Sequence, residues 1–143
     1  MGPAMSSPPR PRSLGPLIQT HPQGTVRIAP RVVAAIAATT ASECYGVVGM
    51  AGRGLRDGLA ELLNREQVDR GIDLRGGEAG ITLDLYIVVE HGVRISEVAH
   101  NLISAVGYAV EHHLGIAVAA VNVNVQGIHR DERPEGARAH GGG

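Results

Sequence analysis

An α+β fold is predicted, with a small and mostly antiparallel sheet in β-α-β-β-α-β order and two main helices packed on one face of it. Three observations lead there. Ile81–Glu90 is the longest run of strand-favouring residues, and its aliphatic side chains stand on a period of two. Ile95, Val98, Ala99, Leu102, Val106, Ala109 and Val110 then recur at helical spacing. Finally, Val121, Val123 and Val125 alternate with Asn122, Asn124 and Gln126 as a second strand.

The earlier elements follow the same logic. Gly24–Ile28 reads as a short strand. Pro30 sits where a helix starts, because its missing N–H is an unsatisfied donor there in any case. Val32, Val33, Ile36, Ala37, Thr40 and Cys44 supply the apolar stripe of that helix, and Gly46 its stop. Val47–Met50 is a short apolar linker that should tuck into the core. Residues 51–70 combine Gly52, Gly54 and Gly58 with Leu59, Leu62 and Leu63, which reads as a loop followed by a short helix. Gly71–Arg75 alternates and precedes Gly76-Gly77, so it should form a hairpin with the 81–90 strand.

Gly115 closes the second helix, as His91-Gly92 closes the long strand. The apolar phase shifts between Val118 and Val121, which predicts a bulge or bend near Ala119-Ala120. The folded part is expected over 22–128. A Pro-rich tail (1–21) and an Arg/Gly-rich tail (129–143) have too little apolar content to order themselves, and both are expected to be disordered.

In the long strand, Ile81, Leu83, Leu85, Ile87 and Val89 share one face; Thr82, Asp84, Tyr86, Val88 and Glu90 share the other. The second set is half polar, as expected for a sheet with one face on helices and one facing solvent or a partner. Asp84, Tyr86, Glu90, Asn122 and Asn124, with Gln126, are therefore the candidate interaction residues. The Asn122/Asn124/Gln126 ladder is either a hydrogen-bonding surface or simply the wet side of its strand.

Composition narrows the function classes. The chain has 143 residues, 43% of them hydrophobic but only 2% aromatic, so its core must be aliphatic. A net charge of −1 argues against holding nucleic acid by bulk electrostatics, and Tyr86 is the lone aromatic on the long strand for base stacking. The single cysteine, Cys44, excludes an internal disulfide and a Cys-based zinc site, and reads as a small buried residue. No apolar run approaches the roughly 20 residues of a membrane span, and the N-terminus lacks the apolar stretch of a signal peptide. A cytoplasmic protein is expected, with any membrane association through a partner.

No catalytic site is expected either. His112 and His113 point about 100° apart on a helix, and no His or carboxylate pair has metal-ligand spacing. Asp84 and Glu90 are roughly 20 Å apart along the strand, too far for joint acid–base work. The glycines of Gly49–Gly54 lack the Gly-Lys-Ser/Thr of a phosphate loop, and no serine lies in a Gly-x-Ser-x-Gly elbow. No enzyme, cofactor or metal is expected.

The joint pattern is more specific than its parts: Gly24-x-Val-x-Ile28, Glu43-Cys-Tyr-Gly46-Val-Val-Gly49-Met50, Asp57-Gly-Leu-Ala-Glu-Leu-Leu63, Gly71-Ile-Asp-Leu, Ile81 through Gly92, Ile95-x-Glu-Val-Ala99, and Val121-Asn-Val-Asn-Val-Gln-Gly127. It resembles the alkaline shock protein family of envelope stress-response proteins, found mainly in Gram-positive and related bacteria, across about 22–128. The resemblance implies a non-enzymatic cytoplasmic protein, a scaffold or adaptor that self-assembles and joins the envelope through a membrane-anchored partner. Some relatives are linked genetically to fatty-acid metabolism. The aliphatic, aromatic-poor core and a glycine loop able to open over an apolar pocket motivate the alternative, a small regulatory module that binds an acyl ligand or a fatty-acid-metabolism enzyme. The family offers no catalytic residues to carry over. The Pro-rich and Arg/Gly-rich tails and the scarcity of aromatics depart from its pattern.

Overall fold

The computed structural model of the chain describes residues 14–52, 62–63 and 70–130. The elements are β1 (Leu17–His21), β2 (Gly24–Ile28), α1 (Pro30–Ser42), β3 (Val47–Met50), β4 (Ile72–Arg75), β5 (Ile81–Glu90), α2 (Ile95–Leu114) and β6 (Val118–His129). The α+β class and both long helices agree with the sequence reading. The short helix expected within 51–70 lies largely outside the described residues, as do 1–13 and 131–143 of the expected tails.

β5 is the axis of the four-stranded sheet. β6 runs parallel to it from Ile81 to Glu90 along one edge. The opposite edge is shared: β4 pairs antiparallel with residues 82–85, and β3 with residues 87–89. The sheet is thus mixed rather than uniformly antiparallel. A parallel β5–β6 pair needs a long crossover, and the 20 residues of α2 supply it.

Two expectations are corrected. Val47–Met50 is a strand, not a linker, with Met50 opposite Ile87. The ordered region also begins before residue 22: Leu17–His21 pairs with Gly24–Ile28 through a two-residue turn at Pro22-Gln23, and His21 faces Gly24. Gln19 ties this hairpin to the rest, since its Nε2 donates to the carbonyls of Leu114 (3.0 Å) and Gly115 (3.3 Å) at the C-terminus of α2. Those carbonyls have no partner within the helix, which is why a side-chain donor is useful there.

The core is aliphatic, as composition requires. Leu83, Leu85, Ile87 and Val89 on β5 are fully buried against Val98, Leu102, Val106 and Val110 of α2 and Val33 and Ala37 of α1. The buried stripe of α1 is Val33, Ala34, Ala37, Ala38 and Ala41, rotated from the sequence expectation: Val32 is 41% exposed, and Cys44 lies beyond the last turn. Small alanines let the helix approach the sheet closely, so they take the inner face in preference to larger neighbours.

Chain reversals use glycine where L-residues are strained. Gly46 (φ 89°) turns α1 into β3, and a Cβ there would lie 2.5 Å from Val98 Cγ2. Gly115 (φ 68°) caps α2 in the left-handed conformation, donating to the Glu111 carbonyl.

Of the bulge or bend expected near Ala119-Ala120, the structure has the bulge. Val118 faces Ile81 but Ala120 faces Thr82, so Ala119 is the extra residue. A second shift leaves Gln126 extra, between Val125 opposite Ile87 and Gly127 opposite Val88.

Candidate interaction surface

The helices cover the Leu83–Leu85–Ile87 face of β5, so Thr82, Asp84, Tyr86, Val88 and Glu90 occupy the other. The parallel register aligns Asp84 with Asn122, Tyr86 with Asn124 and Glu90 with His129. The antiparallel register with β4 adds Asp73 opposite Asp84 and Arg75 opposite Thr82. Five of the six expected residues therefore share one sheet face. Gln126, at the second bulge, leaves the regular alternation.

This face is polar but less open than expected. Asp84 is the centre of a network across three strands. Arg75 Nη2 and Nε donate to its Oδ2 at 3.0 and 3.2 Å, and Asn122 Nδ2 donates to its Oδ1 at 2.8 Å. The Asp84 side chain retains only 16% of its exposure, whereas Arg75 keeps 47%. Asn124 Nδ2 donates to the Leu85 carbonyl at 3.2 Å, so its amide is anchored to the neighbouring strand. Tyr86, Asn124 and Gln126 are half-buried and Val88 is buried, while Asn122 and Glu90 are exposed.

At the far end, Glu90 Oε1 lies 3.8 Å from His129 Nδ1, and Arg130 Nη2 lies 3.2 Å from His91 Nε2. Arg75 and His129 were not singled out from sequence. The signal for Arg75 was present, because a hairpin through Gly76-Gly77 brings 75 beside 82 and 84. His129 opens the Arg/Gly-rich stretch, and nothing local marks it as the end of a strand.

The second feature is an edge. Among the described residues no strand pairs with β6 on the side away from β5. β3 and β4, on the other side of the sheet, are only four residues each. β6 is twelve residues long.

The remaining surface offers little chemistry. No group of three or more His, Cys, Asp or Glu residues gathers to hold a metal among the described residues. Cys44 Sγ is 3.4 Å from the Thr40 carbonyl. Burial pushes its thiol pKa up, and the Glu43 carboxylate adds to the shift, so the thiolate is disfavoured. A groove of about 470 Å³ runs beside α1, lined by Ala35, Ile36, Thr39, Thr40, Glu43, His113 and Leu114.

The chain is 43% identical over 106 residues to YloU, an uncharacterized protein of Bacillus subtilis, spanning 73% of this chain and 88% of that one. It is 36% identical over 106 residues to the uncharacterized Spy1614 of Streptococcus pyogenes serotype M6, with the same coverage. Uncharacterized YqhY of Bacillus subtilis is 30% identical over 112 residues, 78% of this chain and 82% of its own. Among solved structures, the copper form of MamM CTD aligns at a TM-score of 0.42 with 17% identity, covering 74% of this chain and 90% of that one. The nickel form of a MamM CTD variant aligns at 0.41 with 19% identity, covering 71% and 99%. The family model for alkaline shock protein 23, described as having a cell envelope-related function, matches residues 18–130. The chain belongs to the alkaline shock protein 23 family, and its function is related to the cell envelope.

Proposed function

We propose that the protein is a non-enzymatic scaffold or adaptor of the envelope stress response. In this reading it works from the cytoplasmic side by self-assembly and by binding a membrane-anchored partner. The observation that carries the reading is the pairing of a polar sheet face, cross-linked around Asp84, with a long β6 edge that no strand covers among the described residues. Because Arg75 already neutralises Asp84 at the centre of this face, a protein partner can cover that carboxylate without leaving it unpaired. An unpaired edge offers backbone donors and acceptors for strand addition. None of the described helices is long and apolar enough to cross a membrane, and the reading assigns attachment to the partner.

The test is the mass of the purified protein across concentration, by light scattering after size exclusion, followed by capture from membranes. Growth with concentration supports the scaffold. A monomer that retrieves a membrane protein supports the adaptor. A monomer that retrieves nothing removes both.

The groove beside α1 favours one alternative, a regulatory module for an acyl ligand, because Ala35, Ile36 and Leu114 give it an apolar wall. Ligand that binds only the native state must raise the melting temperature. A screen of fatty acids and acyl carriers with no shift at saturation ends this alternative.

A further inference from the structure

We infer that the free edge of β6 pairs antiparallel with the same edge of a second copy, about a two-fold axis at Val123, extending the four-stranded sheet into one of eight strands. The inference rests on the self-assembly reading above and specifies its geometry.

Between its two bulges this edge is long and uncharged, and among the described residues nothing covers it. Long edge strands are normally blunted by charge, proline or brevity. β4 is short and bears Asp73 and Arg75. β6 is twelve residues, Val118-Ala-Ala-Val-Asn-Val-Asn-Val-Gln-Gly-Ile-His129, with no Asp, Glu, Lys, Arg or Pro. A second copy meets no formal charge along it until His129.

The strand's own sequence identifies the occupant as a second copy. A two-fold antiparallel pairing places residue i opposite a residue equally far on the other side of the axis, so the strand must be self-complementary. Val121-Asn122-Val123-Asn124-Val125 is a palindrome. With the axis at Val123, Val121 faces Val125 of the second copy, Asn122 faces Asn124, and Val123 faces itself. Valines stay on the helix-covered side and asparagines on the polar side in both copies, which a shift of one residue in the pairing would violate.

The two bulges bound the same segment. Ala119 and Gln126 are the extra residues, so 120–125 is the regular stretch between them, and the palindrome 121–125 lies wholly within it. Each asparagine amide spends one N–H on β5, on Asp84 Oδ1 and on the Leu85 carbonyl. The Oδ1 and second N–H of each remain for the amide across the interface. Such a contact closes on itself, so it yields a discrete dimer; larger species then require another surface.

The test measures distances between copies. Nitroxide labels are placed singly at Ala120 and Asn122 of the full chain, in a Cys44→Ala background. At about 3.3 Å per residue, identical sites should lie roughly 7 Å apart at Asn122 and roughly 20 Å apart at Ala120. A charge pair guards against a label that disturbs the strand. Asn124→Lys and Asn124→Asp each place like charges beside the axis, raising the dimer dissociation constant roughly threefold to tenfold, and mixing the two restores dimer. Distances that do not grow from Asn122 to Ala120, in a protein that still self-associates, overturn this pairing and leave the scaffold standing. A monomer at every concentration also overturns it, and the adaptor reading then stands or falls on the membrane capture.

Discussion

Asn122 donates to Asp84 across the parallel β5–β6 pair at 2.8 Å, while Arg75 holds the other oxygen of the same carboxylate from β4. One side chain thus ties three strands on the face away from the helices. Hydrogen bonds to an ionised acceptor are worth more than neutral ones. Both donors can reach water when released, which limits the cost of losing the acceptor. Asp84→Ala should destabilise the domain by about 1–2 kcal/mol in urea denaturation. Arg75→Ala should cost less than about 1 kcal/mol, because its guanidinium is nearly half exposed. Equal losses in the two variants would mean that Asn122 contributes nothing to the network.

Glycine positions separate conformational from steric cost. Gly80 has φ 129°, and a Cβ there would meet the Ala117 carbonyl oxygen at 2.5 Å, backbone that cannot swing aside. Gly92 has φ 95° with open space around it. Gly92→Ala should cost about 1 kcal/mol, and Gly80→Ala should cost clearly more. Thermal denaturation of both variants decides the order, and a reversal would place Ala117 elsewhere.

The β1–β2 hairpin tests where the domain begins. Leu17 packs against the core, and Gln19 caps the C-terminus of α2. A chain starting at residue 22 should melt at a lower temperature than one starting at residue 14. Gln19→Leu should account for about 1 kcal/mol of the difference. Identical melting curves would return residues 14–21 to the tail.

Cys44 should be slow to alkylate. Its thiol pKa is raised in the folded chain, so the folded state holds the proton more tightly than the unfolded one. Its contribution to stability is therefore full below the unfolded thiol pKa and is lost as pH rises through the higher folded value. At pH 8, iodoacetamide should modify the native protein more slowly than the urea-unfolded chain. Equal rates would show the thiol to be fully accessible.

Tyr86→Ala and Asn124→Arg probe the proposed surfaces directly. Each should weaken self-assembly, read by light scattering, while leaving the far-ultraviolet spectrum unchanged. Unchanged assembly in both would move the interface away from this face and edge, for example to residues 51–70.

Periodicity determined much of this protein. The alternation of Ile81–Val89, the 3.6-residue stripe from Val98 to Val110, and the phase slip at Ala119 are local patterns. Each constrains which side of its own backbone meets the core, whatever the partner. What periodicity does not encode is which strands become neighbours. Val47–Met50 is too short for alternation to declare itself, and only pairing with Val89–Ile87 makes it a strand. Leu17–His21 sits beside a proline-rich stretch, and its order comes from β2 and from the carbonyls of Leu114 and Gly115, nearly a hundred residues away. The polar face followed the same division. The sequence placed Asp84 and Tyr86 on one side of β5. Only the parallel register of β6 and the antiparallel register of β4 brought Asn122 and Arg75 onto the Asp84 carboxylate, because strand registry is set by long-range packing rather than by any local pattern.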